Sequence, residues 1–262
     1  MPPMTANGRL TGKTVLVTGA ARGIGLCCAR MMALQGAAVA LADIDHEAVE
    51  LAAGAVASET RRPAIAIPLD VADGAGWQMA VADTERELGG LNVLVNNAGI
   101  CIPGTVEELD EADWDRTMAV DLKSVFLGCR TALPVMARYA PGAIVNISSI
   151  SGLVAGHNMA AYNAAKAGVH MLTKSVALHA ARKGYDIRAN SVHPAFVDTG
   201  MVDEVVGGSD PRAARAKLAR QIPLGTIGLP EDVGHAVVYL ASDEARFMTG
   251  AEIKLDGGLS AM

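Results

Sequence analysis

A strand, a glycine-rich turn and a helix follow one another without a break near the N-terminus, and this succession constrains the fold more than any other feature. Residues 13–17, Lys-Thr-Val-Leu-Val, form a short apolar run of the kind that becomes a buried strand. It leads into Thr18-Gly19-Ala20-Ala21-Arg22-Gly23-Ile24-Gly25, after which residues 26–34 carry helical patterning. Such a unit lays a pyrophosphate on a helix N-terminus, where glycines let backbone N–H groups approach without a Cβ in the way. The spacing is Gly-x-x-x-Gly-x-Gly, which departs from the standard Gly-x-Gly-x-x-Gly fingerprint. Taken alone it describes an ordinary tight turn equally well.

A second apolar run at 38–42 ends in Asp43, eighteen residues after Gly25. An acid at about that offset accepts hydrogen bonds from adenosine ribose hydroxyls and repels a 2′-phosphate. Two unit charges about 4 Å apart at an effective dielectric of about 20 interact by ~4 kcal/mol, so NAD is expected rather than NADP. Arg22 argues for the opposite choice, since a guanidinium in this loop can pair with a 2′-phosphate, unless it is simply solvated.

Further strands at 64–69, 92–95, 143–147, 187–192 and 251–255 alternate with helical stretches, among them 113–139 and 159–182. The expected fold class is α/β, a single Rossmann-type doubly wound parallel sheet of about seven strands with helices on both faces. Residues 1–262 read as one domain with no linker or repeat, and with a substrate lid around 195–225 that contains the loop 207–211. The chain is 51% hydrophobic but only 3% aromatic, so its core must be built from Ala, Val, Leu, Ile and Met. Side chains that small suit helices packed closely on a parallel sheet.

A net charge of -6 without a basic patch argues against nucleic acid as a partner. No apolar run approaches the ~18 residues of a membrane span. Residues 1–8 have no signal-peptide apolar core and read as a frayed tail. Cys27, Cys28, Cys101 and Cys129 show no Cys-x-x-Cys spacing, and the six histidines form no metal-type pair. Neither a disulfide framework nor a bound metal is expected, and the cysteine usage suits a reducing cytoplasm.

Tyr162 and Lys166 stand four residues apart, one turn above each other on a single helical face. A cation beside a phenol favours the phenolate and pulls its pKa from ~10 toward the working range of a general acid/base. By itself the pair also describes a solvated helix face. Ser149 follows the 143–147 strand, where its hydroxyl can reach a substrate oxygen or serve only to cap the strand end; Ser148 and Ser151 are rivals.

In this order, Thr18-Gly19-x-x-x-Gly23-Ile24-Gly25, Leu69-Asp70-Val71, Asn96-Asn97-Ala98-Gly99, Ser149, Tyr162-x-x-x-Lys166 and His193-Pro194 through Thr199 resemble the short-chain dehydrogenase/reductase family. The match runs over nearly the whole chain. Residues 91–100 and 184–188 are most similar to bacterial members acting on hydroxysteroids and alicyclic secondary alcohols.

The resemblance implies that Ser149, Tyr162 and Lys166 are catalytic, with Tyr162 exchanging a proton with the substrate oxygen while hydride passes to or from nicotinamide C4. It implies that Gly19, Arg22, Gly23, Ile24, Gly25 and Asp43 hold the dinucleotide's adenosine and phosphates, with Asp70 and Val71 at the adenine. Asn97, Ala98 and Gly99 would lie beneath the cofactor, Lys166 would hold the nicotinamide ribose, and Pro194, Val197 and Thr199 would wrap the nicotinamide amide. Ala195 stands where the family commonly has Gly.

Asp121 stands where the family usually has the Asn that closes a water-linked proton path to the lysine. Its charge should offset part of the Lys166 effect and raise the tyrosine pKa, unless it is a tolerated near-isostere.

The expected substrate is a secondary alcohol or ketone on an apolar frame, in a pocket of Cys101, Ile102, Pro103, Ile150, Leu153, Val154, Met159, Phe196, Met201 and Val202. His157 and Asn158 are possible polar handles. Alternatives are reduction of a 3-oxoacyl thioester with NADPH, or a redox-silent nucleotide-binding scaffold. The long helices at 113–139 and 159–182 resemble the family's shared interface and imply a homotetramer.

Overall fold

A computed structural model describes residues 8–202 and 210–262. Residues 1–7 of the expected tail and residues 203–209 of the expected lid lie outside the described residues. Seven strands are described: β1 (Thr14–Thr18), β2 (Ala38–Asp43), β3 (Ala64–Pro68), β4 (Val93–Asn96), β5 (Gly142–Ile147), β6 (Ile187–Pro194) and β7 (Glu252–Leu255). They form one parallel sheet, as the sequence predicts, and its order is β3-β2-β1-β4-β5-β6-β7. The helices are α1 (Gly23–Leu34), α2 (His46–Thr60), α3 (Gly74–Leu88), α4 (Glu111–Met118), α5 (Ser124–Met136), α6 (Ala160–Arg182), α7 (Pro211–Ala219) and α8 (Pro230–Ala241).

Helix starts follow the capping rules. Asp45, Asp73 and Asp110 each accept a backbone N–H of the first turn of α2, α3 and α4, which the unpaired N–H groups of a helix start require. Each strand of a parallel sheet is covered on both faces, so successive residues divide between two cores. Val15 and Val17 of β1 enter one core with α1, α2 and α8, while Leu16 enters the other with α3, α5 and α6.

From β1 the chain works outward to β3, then crosses back to β4 and works outward the other way to β7. Connections therefore leave β1 and β4 in opposite directions, and a crevice opens beyond their carboxyl ends.

The sequence predicts one helix over 113–139. The structure breaks it with a π-helical turn at Ala119–Lys123, between α4 and α5. No glycine or proline announces the break, because the extra residue is accommodated by widening the helix rather than by ending it. Asp121 lies at its centre and is fully buried.

Trp77, on α3, is the largest fully buried side chain; its indole N–H donates to the Val71 carbonyl at 2.9 Å. Its ring sits so close under α5 that a Cβ on Gly128 would come within 2.6 Å of it. Trp77→Ala leaves both a cavity and an unpaired carbonyl, and should cost about 3–5 kcal/mol in guanidinium unfolding. A loss under about 1 kcal/mol would mean that this part of the core readily collapses.

Candidate active site

A single cleft of about 910 Å³ opens at the carboxyl ends of the strands. Gly19 follows β1, Asp43 ends β2, Asn97, Ala98 and Gly99 follow β4, and Ser149 follows β5. Pro194 ends β6, and all of these residues line the cleft. Arg22, Gly23, Ile24, Asp70, Val71, Tyr162, Lys166, Val197 and Thr199 line it too. Of the expected catalytic and cofactor-binding residues, two do not: Gly25 and Asp121 are set back behind its walls.

At one end the turn after β1 presents the start of α1. Its first turn has neither a side-chain cap nor an acidic residue, so its partial positive charge is left for an anion. Gly19 and Gly23 have φ of 62° and 59°, which other residues rarely adopt. Gly25 is buried within α1, and a Cβ there would collide with the Gly19 carbonyl oxygen, so its missing side chain lets the helix close onto the turn.

The turn is clamped from β4. The Asn97 amide donates to the carbonyls of Thr18 at 2.9 Å and Gly19 at 3.1 Å, while the Thr18 hydroxyl accepts the N–H groups of Asn97 and Ala98. The Asp43 carboxylate accepts the N–H groups of Ala21 at 3.0 Å and Asp45 at 3.1 Å, which fixes the acid at the cleft edge. An uncapped helix start, positive-φ glycines and a fixed carboxylate together fit a dinucleotide. The turn would hold its phosphates and Asp43 its adenosine ribose.

At the other end, α6 brings Tyr162 and Lys166 to one wall. The Lys166 ammonium is 5.5 Å from the Tyr162 ring centre, and Ser149 lines the same cleft. Lys166 is only 4% exposed. Its ammonium donates to the Ile147 carbonyl at 3.3 Å and lies 3.1 Å from Asp121 Oδ2 as an ion pair, without hydrogen-bond alignment. Asp121 Oδ1 accepts the Ile100 N–H at 2.8 Å. Ser149 also accepts the Ser151 N–H, so it caps a turn and faces the cleft at once. The rival Ser148 is committed elsewhere: its hydroxyl donates to the Lys166 carbonyl at 2.8 Å.

Burial pulls the lysine pKa down, but Asp121 and Tyr162 more than restore it, so the group stays an ammonium. Burial pushes the Tyr162 pKa up; Lys166 pulls the other way, and Asp121 adds to the rise. The net direction is upward. Lys166 thus pulls the phenol down as expected but is outweighed by burial, and the direction agrees with the expected effect of Asp121.

A family model described as enoyl-(acyl carrier protein) reductase matches residues 19–260. The trans-4-hydroxycyclohexanecarboxylate dehydrogenase of Sinomonas cyclohexanicum is 42% identical over 97% of this chain and 95% of its own. The 3-alpha-(or 20-beta)-hydroxysteroid dehydrogenase of Mycobacterium tuberculosis is 42% identical over 97% and 92%. The NADP-dependent (R)-specific alcohol dehydrogenase of Lentilactobacillus kefiri is 38% identical over 97% and 98%. A crystal structure of a short-chain type dehydrogenase/reductase from Mycobacterium marinum superposes with a TM-score of 0.90 at 31% identity, over 97% of each chain. The chain belongs to the short-chain dehydrogenase/reductase family.

As a family member it binds a nicotinamide cofactor. The remaining part of the cleft is walled by Cys101, Ile102, Ile150, Met159, Phe196, Met201 and Val202, all expected. Pro103, Leu153, Val154, His157 and Asn158 do not line it. Leu153 and Val154 are 36% and 48% exposed, because the loop before α6 turns outward after Ile150. Arg116, Ala119 and Val120 line the cleft and were missed, because residues 113–139 read as an interface helix and no spacing signal marks them; Leu218, which also lines it, falls within the expected lid.

The wall is braced by backbone pairing of Gly104 with Met159 and of Val197 with Gly228, and by the Asp198–Arg215 ion pair at 2.6 Å. Burial pushes the Cys101 thiol up to about 11, so it is a neutral apolar surface.

Asp121→Asn removes a negative charge beside Lys166 and lowers the Tyr162 pKa. Were Tyr162 the proton acceptor in alcohol oxidation, the rate would rise as pH passes upward through that pKa. The rising limb of the Asp121→Asn pH–rate profile should therefore move to lower pH. Superimposable profiles would show that Asp121 is a neutral stand-in for the family Asn.

Proposed function

We propose that the enzyme transfers a hydride between NAD and a secondary alcohol or ketone carried on an apolar, cyclic frame such as an alicyclic ring or a steroid. The observation that carries this reading is the convergence of Ser149, Tyr162 and Lys166 on one wall of a cleft whose neighbouring surface is aliphatic and sulfur-containing. The names of the cyclohexane and steroid relatives support the substrate class. The fixed Asp43 carboxylate supports NAD, while the NADP-dependent relative supports the opposite choice.

Ser149 would donate a hydrogen bond to the substrate oxygen and hold it against Tyr162. The phenol would give its proton to that oxygen in reduction and take it back in oxidation. The nicotinamide, when bound, supplies or accepts the hydride. Lys166 would hold the ribose hydroxyls, and its charge would ease loss of the phenolic proton. The raised Tyr162 pKa keeps the phenol protonated at neutral pH, which suits it to donate in ketone reduction and reserves oxidation for alkaline conditions.

We further read α5 and α6 as the interface of a homotetramer, since they leave Phe126, Met171 and Leu178 exposed.

Absorbance at 340 nm with NAD or NADP and a panel of cyclic alcohols and ketones tests the activity. Tyr162→Phe should lower turnover by about 10²–10⁴-fold while cofactor binding survives. Full activity of Tyr162→Phe would remove the proton-transfer role. Asp43→Ser should raise the preference for NADP relative to NAD, and an unchanged ratio would mean that the discrimination lies elsewhere. A 3-oxoacyl thioester turned over with NADPH faster than any cyclic substrate would replace the substrate reading and leave the chemistry standing.

A further inference from the structure

We infer that His193, on β6, is a positioning residue that sets the orientation of Ser149 from beneath the cleft; this rests on the reading of Ser149 above. The parallel pairing of β5 with β6 ends at the bond from the Ser148 N–H to the Val192 carbonyl, 2.8 Å long. One residue further toward the cleft, the strands have separated. There the Ser149 carbonyl accepts the Gly152 N–H of its own turn at 3.0 Å, and on its other side meets His193 Nδ1 at 3.1 Å. The imidazole thus takes the place of the next rung of the ladder. It is the link that fixes the Ser149 peptide against a different strand.

The ring is held for this task. It is fully buried, and a carbonyl can only accept, so Nδ1 carries the proton and Nε2 its lone pair. The Ser191 hydroxyl lies 2.8 Å from Nε2 and donates to it, which selects that tautomer. His170 of α6 packs edge-on, with ring centres 5.2 Å apart and its Nδ1 3.4 Å from Nε2. The far nitrogen of His170 is 3.3 Å from Glu252 on β7. Burial holds the His193 pKa below its ordinary value, so the ring is neutral in use. None of these groups lines the cleft.

Two amide substitutions separate the two nitrogens. An Asn amide nitrogen can occupy the place of Nδ1, and a Gln amide the place of Nε2. His193→Asn should keep turnover within a few-fold of native. His193→Gln should lose about 10- to 100-fold in kcat, as expected for a misplaced catalytic group, with cofactor affinity unchanged.

Thermal melts and cofactor binding report that both variants fold. His193→Gln as active as native, or both variants equally impaired, would overturn the inference while Ser149→Ala remains inactive. Full turnover by Ser149→Ala would instead remove the reading of Ser149, and the inference with it.

Discussion

An ammonium group removed from water must be given partners, or it loses its proton. Lys166 is in that position, and what surrounds it determines much of the site. Its charge is met by the Ile147 carbonyl from the end of β5 and by Asp121 from the π turn, while Gly99 passes so close that a Cβ would come within 3.2 Å of both ions. Three segments distant in sequence are therefore required to meet at one point. Tyr162 and Ser149 inherit their places from that meeting, one a turn of α6 away and the other two residues beyond Ile147.

The pairing also explains why α4 and α5 are not one straight helix. A regular helix over 113–139 would advance each residue by a fixed angle, and a charged side chain directed at the core would be an error in its pattern. Widening a single turn delivers Asp121 inward without breaking the helix on either side, and such turns recur at functional sites. The surrounding residues, Ala119, Val120, Leu122 and Lys123, are all compatible with an ordinary helix, so nothing local foretells the widening. The need for it lies forty-five residues away, in Lys166.

That contrast describes what the sequence could reveal. The strands were legible because each is a short apolar run between polar or glycine-containing turns, and the glycine turn because its residues have backbone duties that no other type fulfils. Ser149, Tyr162 and Lys166 were legible through their order along the chain. Less was visible wherever function depends on contacts between distant segments. Gly25 gives no linear sign that its missing Cβ lets α1 close onto the Gly19 carbonyl; Leu153 and Val154 lie near Ile150 in sequence but on the outside of the loop. His193 read only as part of a motif, because its partner is a backbone carbonyl and carries no side-chain signature.

The direction of the Tyr162 shift follows from the same enclosure. Reasoning from the pair alone, a cation beside a phenol lowers its pKa, and that term is present. Enclosure adds two others of opposite sign: the phenolate loses its water, and the lysine acquires a carboxylate that cancels much of its field at a distance. A cation can be brought into the interior most safely with a counter-ion, but the counter-ion blunts the effect for which the cation is there. An amide at position 121 would leave more of the lysine's field acting on the phenol, and it would also leave the ammonium less well compensated. Asp121 thus accompanies a securely held lysine and a phenol whose pKa lies above its ordinary value.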